Sequence, residues 1–316
     1  MDVTQVIPPD AIPSVDDPAF VDSYGGDPDE DVLVVDLEDD ARAYPLRYLN
    51  YHEIVNDVVA GRPVAVTWCP LCASAVVYDR VVDGRALEFG VSGKLADDDL
   101  VMYDRETESE WKQSLGEAIA GPHEGTALEA LPAAVMPYER FAAAHPDGVV
   151  LAEPGGRSEA SGPGDDPEPI AYEDDPYRDY FEADGFGLGA HRGTGGRERC
   201  RDDLDPKDVV LGLERDGDAL GFPHDRVAEA GGVARATVGD RDVAVFVSPA
   251  GIHAFAGEGH AFEPTETAGA FAADGTTWDG ATGEAADGRR LERLPARRLF
   301  AFAWQDDHGP DAFWTP

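Results

Sequence analysis

Two cysteines three positions apart, Cys69 and Cys72, have the clearest capacity for chemistry in this sequence. They frame a Cys-Pro-Leu-Cys turn within the segment VAVTWCPLCASAVVYDR, residues 64–80. Two thiolates on one tight turn can chelate a soft or borderline metal ion, or they can form a reversible disulfide. The spacing alone leaves both chemistries open.

The residues that follow the turn predict a β-hairpin. Residues 75–80 and 86–91 are rich in β-branched and aromatic side chains, and the Asp-Gly pair at 83–84 predicts the connecting turn. A thioredoxin-like dithiol requires instead that the second cysteine opens a helix, whose N-terminus lowers the thiol pKa. The pattern therefore argues against a thioredoxin-like site and favours a knuckle-like turn of the zinc or rubredoxin type.

A knuckle with two cysteines needs further ligands, and His52 is the nearest upstream candidate. Residues 45–53 predict a short helix with Pro45 in its first turn. The runs 55–59 and 64–68 predict a hairpin that leads into Cys69 and brings His52 back towards the thiols. We therefore predict Cys69, Cys72 and His52 as metal ligands. A partly buried histidine bonded to the backbone is the alternative interpretation of His52.

One transition metal ion is the expected cofactor. Two cysteines and one histidine with an open position suit zinc, which we favour, and also iron or copper(I). In an enzyme, His52 or Asp104 would handle protons and Arg105 would bind an anionic group of a small-molecule substrate. A thiol-disulfide redox protein and a non-catalytic ligand-binding module are the alternatives.

The segment from residue 41 to residue 111, ARAYPLRYLNYHE through to ETESEW, resembles the domain-of-unknown-function 3179 family throughout. The similarity continues through GEAIAGP, LEALP and AAAHPDG, so it covers most of residues 6–150. The resemblance implies no established activity. It implies motif positions at His52, Asn56, Cys69, Pro70, Cys72, Ser92, Asp104, Arg105 and Trp111. Ala73 stands where the family is expected to carry glycine, and residues 94–99 depart from the family pattern.

The chain is strongly acidic, with 64 Asp and Glu against 25 Lys and Arg and a formal charge of −39. Screening over about 3 Å at 1 M salt removes most of the self-repulsion of such a surface. The composition is therefore typical of haloarchaeal-type proteins that work in concentrated salt. Basic pairs occur only at 289–290 and 297–298, which argues against nucleic-acid partners and anionic membranes.

The sequence has no basic segment followed by an apolar run at its N-terminus and no stretch of 18 apolar residues. We therefore predict a cytoplasmic protein without membrane insertion. A reducing cytoplasm would keep Cys69 and Cys72 available as thiols. No P-loop, GxSxG or strand-GxGxxG-helix pattern supports a nucleotide-binding or serine-hydrolase function.

Two parts of the chain can be aligned with each other. DLEDDARAYP aligns with GLERDGDALGFP, GRPVAVTWCP with DRDVAVFVSP, and LEALP at 128–132 with LERLP at 291–295. We predict two tandem degenerate repeats that arose by duplication. The predicted organisation is a lead-in segment at 1–30, a first repeat at 31–152, a Gly/Pro/Asp-rich connector at 153–208 and a second repeat at 209–316.

The second repeat lacks the candidate ligands, since the alignment places Ser248 opposite Cys69 and Gly251 opposite Cys72, with no counterpart of His52. A metal knuckle needed only for folding should persist in a copy that still folds, so this loss favours a functional role. In the connector, Cys200 and His191 rank below His52 as ligands. The acidic run at 97–99 could bind a hard cation, although such runs are expected in so acidic a chain.

Strand-like runs outnumber helical ones and predict a β-rich α+β fold with short helices at 45–53 and 137–144. The predicted strands are residues 32–37, 64–68, 75–80, 86–91, 100–103, 209–213, 243–247 and 252–255.

Overall fold

Strands dominate the computed structural model, which describes residues 1–162, 166–197 and 201–316. In the first of these ranges the strands are β1 (Val3–Gln5), β2 (Phe20–Val21), β3 (Asp31–Leu37), β4 (Asp40–Pro45), β5 (Ile54–Val59), β6 (Arg62–Cys69), β7 (Ser74–Asp79), β8 (Val81–Val82), β9 (Arg85–Ala86), β10 (Phe89–Ala96), β11 (Asp99–Asp104), β12 (Glu110–Lys112), β13 (Glu117–Ala120), β14 (Ala134–Pro137), β15 (Val149–Leu151) and β16 (Arg157–Ser158).

The strands of the remaining chain are β17 (Glu168–Pro169), β18 (Val209–Arg215), β19 (Asp218–Pro223), β20 (Val233–Val238), β21 (Arg241–Ser248), β22 (Gly251–Ala256), β23 (Glu263–Pro264), β24 (Ala270–Ala273), β25 (Thr276–Asp279) and β26 (Arg297–Phe300). The helices are α1 (Leu46–His52), α2 (Tyr138–Ala144), α3 (Arg178–Glu182), α4 (Leu188–His191), α5 (His224–Glu229) and α6 (Ala301–His308), with one 3-10 turn at Glu159–Ser161. The prediction of a β-rich α+β fold with short helices is confirmed.

The two helices predicted from sequence correspond to α1 and α2. Each follows a proline, Pro45 or Pro137, that ends a strand with φ near −58° and an extended ψ. Proline favours this junction because its fixed φ suits the strand end and its missing N–H removes a donor that would need a partner. The sequence predicted Pro45 in the first turn of this helix. In the structure Pro45 instead precedes the helix.

A six-stranded sheet in the order β19-β18-β26-β7-β6-β5 combines strands from the two predicted repeats. The junction lies between β26 and β7, where Arg298 is the register partner of Ala75. The Phe300 N–H also donates to the Cys72 carbonyl at 2.7 Å. The chain segments on either side of the connector thus share one sheet, while the predicted domain boundaries stay a prediction.

Two five-stranded sheets have the orders β1-β10-β11-β12-β13 and β14-β3-β4-β15-β2. Residues 233–279 form two three-stranded sheets, β20-β21-β22 and β23-β24-β25. The largest hydrophobic core runs from Ile7 to Phe313 in sequence and includes both cysteines. No helix in the described part of the chain is long and apolar enough to cross a membrane.

The described part of the connector packs onto this core. Tyr172, Tyr177, Tyr180 and Phe186 are all buried. The Tyr180 hydroxyl donates to the Leu71 carbonyl at 2.5 Å, within the Cys-Pro-Leu-Cys turn. The aromatic residues of the connector therefore fix it against the turn that carries the thiols.

A buried ion pair joins two elements that are far apart in sequence, β12 and α6. The Lys112 ammonium, at the end of β12, contacts the Asp307 carboxylate of α6, and their side chains are only 3% and 2% exposed. Asp307 also accepts a hydrogen bond from the Ser114 hydroxyl at 2.6 Å. Burial acts to lower the pKa of Lys112, but the charges of Asp307 and Asp99 outweigh it and raise that pKa. Lys112 is therefore charged and depends on its partner.

Replacing Asp307 by alanine should destabilise the protein strongly, because it leaves the Lys112 charge buried without its partner. We expect a loss of about 3–5 kcal/mol in the free energy of unfolding, measured with urea in concentrated salt. The double variant Lys112→Met/Asp307→Leu should recover most of this loss. Asp240→Ala removes an exposed partner of Arg215 and should change little. A change in Asp307→Ala no larger than in this control would contradict the interpretation.

Candidate functional site

The Cys-Pro-Leu-Cys turn is the connection between β6 and β7. Cys69 and Ser74 form the last pair of the ladder, so the four residues 70–73 make the loop. Both cysteines are free thiols, Cys69 2% exposed and Cys72 fully buried. The predicted turn between two strands is therefore present, as is the hairpin predicted from 55–59 and 64–68, and the thiols lie inside the protein. The hairpin predicted from 75–80 and 86–91 is wrong, because β7 pairs with β6 and β26 and β10 pairs with β1 and β11, so only the short strands β8 and β9 pair across the Asp-Gly turn.

Three consecutive carbonyls of this turn accept hydrogen bonds from distant parts of the chain. The Leu71 carbonyl accepts from the Tyr180 hydroxyl, the Cys72 carbonyl from the Phe300 N–H, and the Ala73 carbonyl from the Arg298 guanidinium at 3.2 Å. Buried carbonyls need such partners. The connector and β26 therefore fix the position of the turn together.

Ala73 has a φ of +46°, in the left-handed region that favours glycine. An alanine Cβ meets the following carbonyl in this conformation, at a cost of roughly 1–2 kcal/mol. This left-handed backbone explains why the family is expected to carry glycine at this position. The turn keeps the conformation with alanine because its carbonyls are held from outside.

Asp99, the first residue of β11, completes a compact group with the two thiols. One ligand atom from each of Cys69, Cys72 and Asp99 lies within 4.8 Å of the other two. Asp99 Oδ1 accepts a hydrogen bond from Cys72 Sγ at 3.0 Å, and Oδ2 accepts from the Ser114 N–H at 2.8 Å. Cys72 in the turn and Asp99 at the start of β11 are thus in contact although they are 27 residues apart in sequence. This group of three side chains could hold a metal ion.

Burial raises the pKa of both thiols. The pKa of Cys72 is raised well above its ordinary value, by burial first and then by its hydrogen bond to Cys69 and the charge of Asp99. For Cys69, hydrogen bonds from Cys72 partly offset the effect of burial. Without a cation the thiols stay protonated at neutral pH. A bound metal ion would reverse this preference, because it stabilises the thiolate directly.

Glu53 lies beside this group and was not among the residues predicted from sequence. It follows the last residue of α1 with a φ of +57°, and its carbonyl accepts from the Trp68 N–H at 2.8 Å. Its side chain is 7% exposed, and no donor among the described residues lies within hydrogen-bond distance of its carboxyl group. Burial, followed by the charges of Glu159 and Asp99, raises the pKa of Glu53 to about 8.

The structure does not bring His52 into this group. The His52 Nδ1–H donates to the Pro13 carbonyl at 2.9 Å, so Nε2 accepts from the Tyr172 hydroxyl at 2.7 Å. Burial lowers the pKa of His52, consistent with a neutral ring. Both nitrogens are therefore occupied. Metal ligation by His52 would require the ring to leave both partners.

Asp104 and Arg105, predicted as proton-handling and anion-binding residues, also lie outside the group. The Asp104 carboxylate accepts from the Thr107 N–H and hydroxyl and from Trp111 Nε1 at 3.0 Å. Arg105 forms ion pairs with Asp10, Asp16 and Glu88. In this structure Asp104 shapes the turn after β11, and Arg105 ties the N-terminal segment to the sheet.

A cavity of about 80 Å³ adjoins the group on the Cys69 side. Glu53, Tyr177 and His191 line it together with Cys69, whereas Cys72 and Asp99 do not. The His191 ring stacks on Tyr177 with 4.8 Å between ring centres. His191, a lower-ranked candidate from the sequence, is therefore at the cavity wall. Cys200 lies outside the described residues.

A wider cleft of about 650 Å³ adjoins the cavity and shares part of its wall. Four residues line both spaces, namely Glu159, Tyr177, His191 and Arg192. The Arg192 guanidinium lies 3.9 Å from the Glu159 carboxylate. These shared residues of the connector therefore separate the cavity beside Cys69 from the wider cleft.

Glu53 should make the metal-free protein less stable as the pH rises through the range between its two pKa values. The unfolded carboxyl group ionises near 4.5, whereas the folded one stays protonated up to about 8. Between these values the folded state binds more protons, so the free energy of unfolding falls, by on the order of 4 kcal/mol in total. Glu53→Gln should remove this decline in urea titrations from pH 4.5 to 8.

Glu38→Gln is the matched control, because Glu38 also has a left-handed backbone, with a φ of +49°, but is exposed. It should keep the pH dependence of the wild-type protein. Parallel profiles for wild-type and Glu53→Gln would show that the Glu53 carboxyl group ionises normally in the folded state.

Ala73→Gly should stabilise the protein by about 0.5–1 kcal/mol. It relieves the left-handed strain of roughly 1–2 kcal/mol, and the greater backbone entropy of unfolded glycine offsets about 0.4–1 kcal/mol of this gain. Ala75→Gly, in the adjacent strand, should instead destabilise because no strain is relieved there. Thermal unfolding of both variants provides the test. A loss of stability in Ala73→Gly would be inconsistent with strain at this turn.

Comparison with known proteins gives one match, to a family described as "Protein of unknown function (DUF3179)", over residues 9–312. No curated protein and no solved structure matches the chain. The matched range extends well beyond the 6–150 resemblance, through residues 153–208 and most of the segment predicted as a second repeat. Since it spans nearly the whole chain, the protein belongs to the DUF3179 family.

Proposed function

We propose that this protein binds one transition metal ion through Cys69, Cys72 and Asp99. The observation that carries the proposal is the convergence of three buried ligand atoms within 4.8 Å of one another. No lysine or arginine of the described chain donates a hydrogen bond to either sulfur or to the Asp99 carboxylate. A metal ion would supply the positive charge that three deprotonated ligands need in a buried site.

The ligand set favours zinc. Two thiolates and one carboxylate are ligands that Zn²⁺ accepts, and three protein ligands leave one of its four positions open. Of the three, Cys69 alone lines the cavity, so the site would border a space that a small molecule can occupy. Iron and copper(I) remain alternatives because thiolates bind them as well. An open position distinguishes reactive zinc sites from closed structural ones, which supports an enzymatic activity.

In this proposal Glu53 takes the proton-handling role that the sequence suggested for His52 or Asp104. Glu53 faces the cavity beside Cys69, whereas His52 and Asp104 are engaged in hydrogen bonds elsewhere. His52 would instead support the site indirectly, because its bond to Tyr172 helps to hold the connector against the core.

A reversible dithiol is the second candidate. It is favoured by the closeness of the two sulfurs, since Cys72 hydrogen-bonds to Cys69. The raised pKa of both thiols argues against it, because the thiolate is the species that attacks a disulfide. The metal site is therefore the preferred function.

Metal analysis by mass spectrometry tests the proposal, on protein purified in concentrated salt without a metal-affinity column. We expect about one equivalent of metal in the wild-type protein, none in Cys72→Ser, and an affinity at least tenfold lower in Asp99→Asn because a charged ligand becomes a weaker neutral one. Asp39→Asn, an exposed aspartate, and Cys200→Ser should keep the metal.

The same preparations should be titrated for thiols under denaturing conditions before and after mild oxidation. Absence of metal, together with reversible loss of two thiols that Cys69→Ser prevents, would replace the metal site by a redox dithiol. Metal that persists in Cys69→Ser, Cys72→Ser and Asp99→Asn alike would place it elsewhere in the chain.

We further infer that the fold arose by duplication. The order β3-β4-α1-β5-β6-β7 is repeated as β18-β19-α5-β20-β21-β22, and β14-β3-β4 in one sheet corresponds to β26-β18-β19 in another. The ladders correct one detail of the sequence alignment. Ser248 pairs directly with Gly251, so Gly251 corresponds to Ser74, and the second hairpin loop has two residues where the first has four. The second hairpin thus has no position for Cys72.

A further inference from the structure

The cavity beside Cys69 contains two buried polar groups that lack partners. The Glu53 carboxyl group and the Tyr177 hydroxyl both line it, and their side chains belong to residues that are 7% and 6% exposed. Within the described chain, neither group has a hydrogen-bond partner. Buried polar groups are normally paired, and the exceptions occur where a ligand or water completes the bonds.

Both groups are held in place by the fold. Glu53 is fixed between α1 and β5 in a left-handed conformation, at a position where the second repeat has Gly231 and Gly232. Tyr177 stacks against His191 and precedes α3. A strained glutamate where glycine would be unstrained is retained at a cost of roughly 1–2 kcal/mol. Left-handed glutamates such as Glu38 also occur at the surface, so the combination of this backbone with a buried carboxyl group is what points to a role for Glu53.

The remaining wall of the cavity is apolar. Its aliphatic lining is formed by Val6, Ile7, Ile12, Leu71, Val91, Leu95, Leu100 and Leu188. A charged ligand would lose its hydration against these side chains, at a cost of several kcal/mol. The charged groups of the lining are already matched, since Lys94 pairs with Glu110 and Arg192 lies near Glu159. The wall therefore selects against ions of either sign.

The volume limits the size of the ligand. A cavity of about 80 Å³ could hold about three water molecules, at roughly 30 Å³ each. An occupant of about three to five non-hydrogen atoms fits this space. A larger molecule could place only one end in the cavity.

We propose that this cavity binds a small uncharged molecule with an oxygen-bearing head group, such as a short alcohol or ketone. The head group would hydrogen-bond to Glu53 and Tyr177, and its short apolar body would pack against the aliphatic wall. This binding site extends the proposed function. It rests on that function in one respect, because the ligand would lie beside the metal site at Cys69.

Four probes of nearly equal size test the binding, namely 1-butanol, 2-butanone, butyrate and n-butylammonium. Binding is measured by saturation-transfer NMR in concentrated salt, with both metal-loaded and chelator-treated protein. We expect both neutral probes to bind the wild-type protein at least tenfold more tightly than either ion, because of the desolvation cost. Equal or tighter binding of an ion would overturn the proposal.

Variants locate the site. Tyr177→Phe and Glu53→Leu should each weaken binding of 1-butanol about fivefold, the effect of one net hydrogen bond of about 1 kcal/mol. Leu188→Trp should abolish binding by filling the cavity from a partly buried position. Glu38→Leu, at the exposed left-handed glutamate, should bind like the wild-type protein. If Glu53→Leu does not fold, the other two variants decide, and unchanged binding in Leu188→Trp would refute the site.

The two proposals fail separately. Neutral probes that bind a protein without any metal, and that Leu188→Trp excludes, would refute the metal site and leave the cavity site intact. A protein with one equivalent of metal in which no probe binds would keep the metal site and refute the cavity site.

Discussion

The capture of three consecutive carbonyls in the Cys-Pro-Leu-Cys turn is the constraint on which the site depends. A four-residue turn with a left-handed alanine has no strong preference of its own for this conformation. Here the Tyr180 hydroxyl of the connector binds the Leu71 carbonyl. The backbone of β26 binds the Cys72 carbonyl, and the Arg298 side chain binds the Ala73 carbonyl. The thiol positions are therefore set by chain segments more than 100 residues away in sequence.

Unfavourable features are concentrated around this turn. Ala73 and Glu53 both have left-handed backbones, and the buried thiols and Asp99 lie close together without a hydrogen bond from any lysine or arginine of the described chain. In a chain whose surface carries most of its carboxylates, a buried cluster of thiols and carboxyl groups is costly unless something compensates it. Strain and unpaired polar groups of this kind persist where they serve a function. By contrast, the β21–β22 hairpin has a two-residue loop without cysteine, and the residues with a left-handed backbone between α5 and β20 are glycines, Gly231 and Gly232.

Local patterns predicted the elements but not the contacts between them. The alternation and turn signals around Cys69 were sufficient for the β6–β7 hairpin, and proline positions were sufficient for the starts of α1 and α2. Asp99 was noticed only as one of three aspartates, because nothing local indicates that the start of β11 meets Cys72. Glu53 adjoins His52 in sequence, yet only the left-handed turn at the end of α1 points it towards the cavity. For the same reason, His52 lies on the other side of that turn, against Pro13 and Tyr172.

The bonds from Tyr180, Arg298 and Phe300 to the turn also have a consequence for synthesis of the protein. The chain emerges from the ribosome N-terminus first, so the thiols are made long before the residues that bury them. Until β26 is complete, about 230 residues after Cys69, the turn lacks two of its three anchors. Such distant contacts form late in folding because the long intervening loop must close first. The group of Cys69, Cys72 and Asp99 therefore reaches its final position only after β26 has been synthesised, and any ion or small molecule that it holds must be acquired after that point.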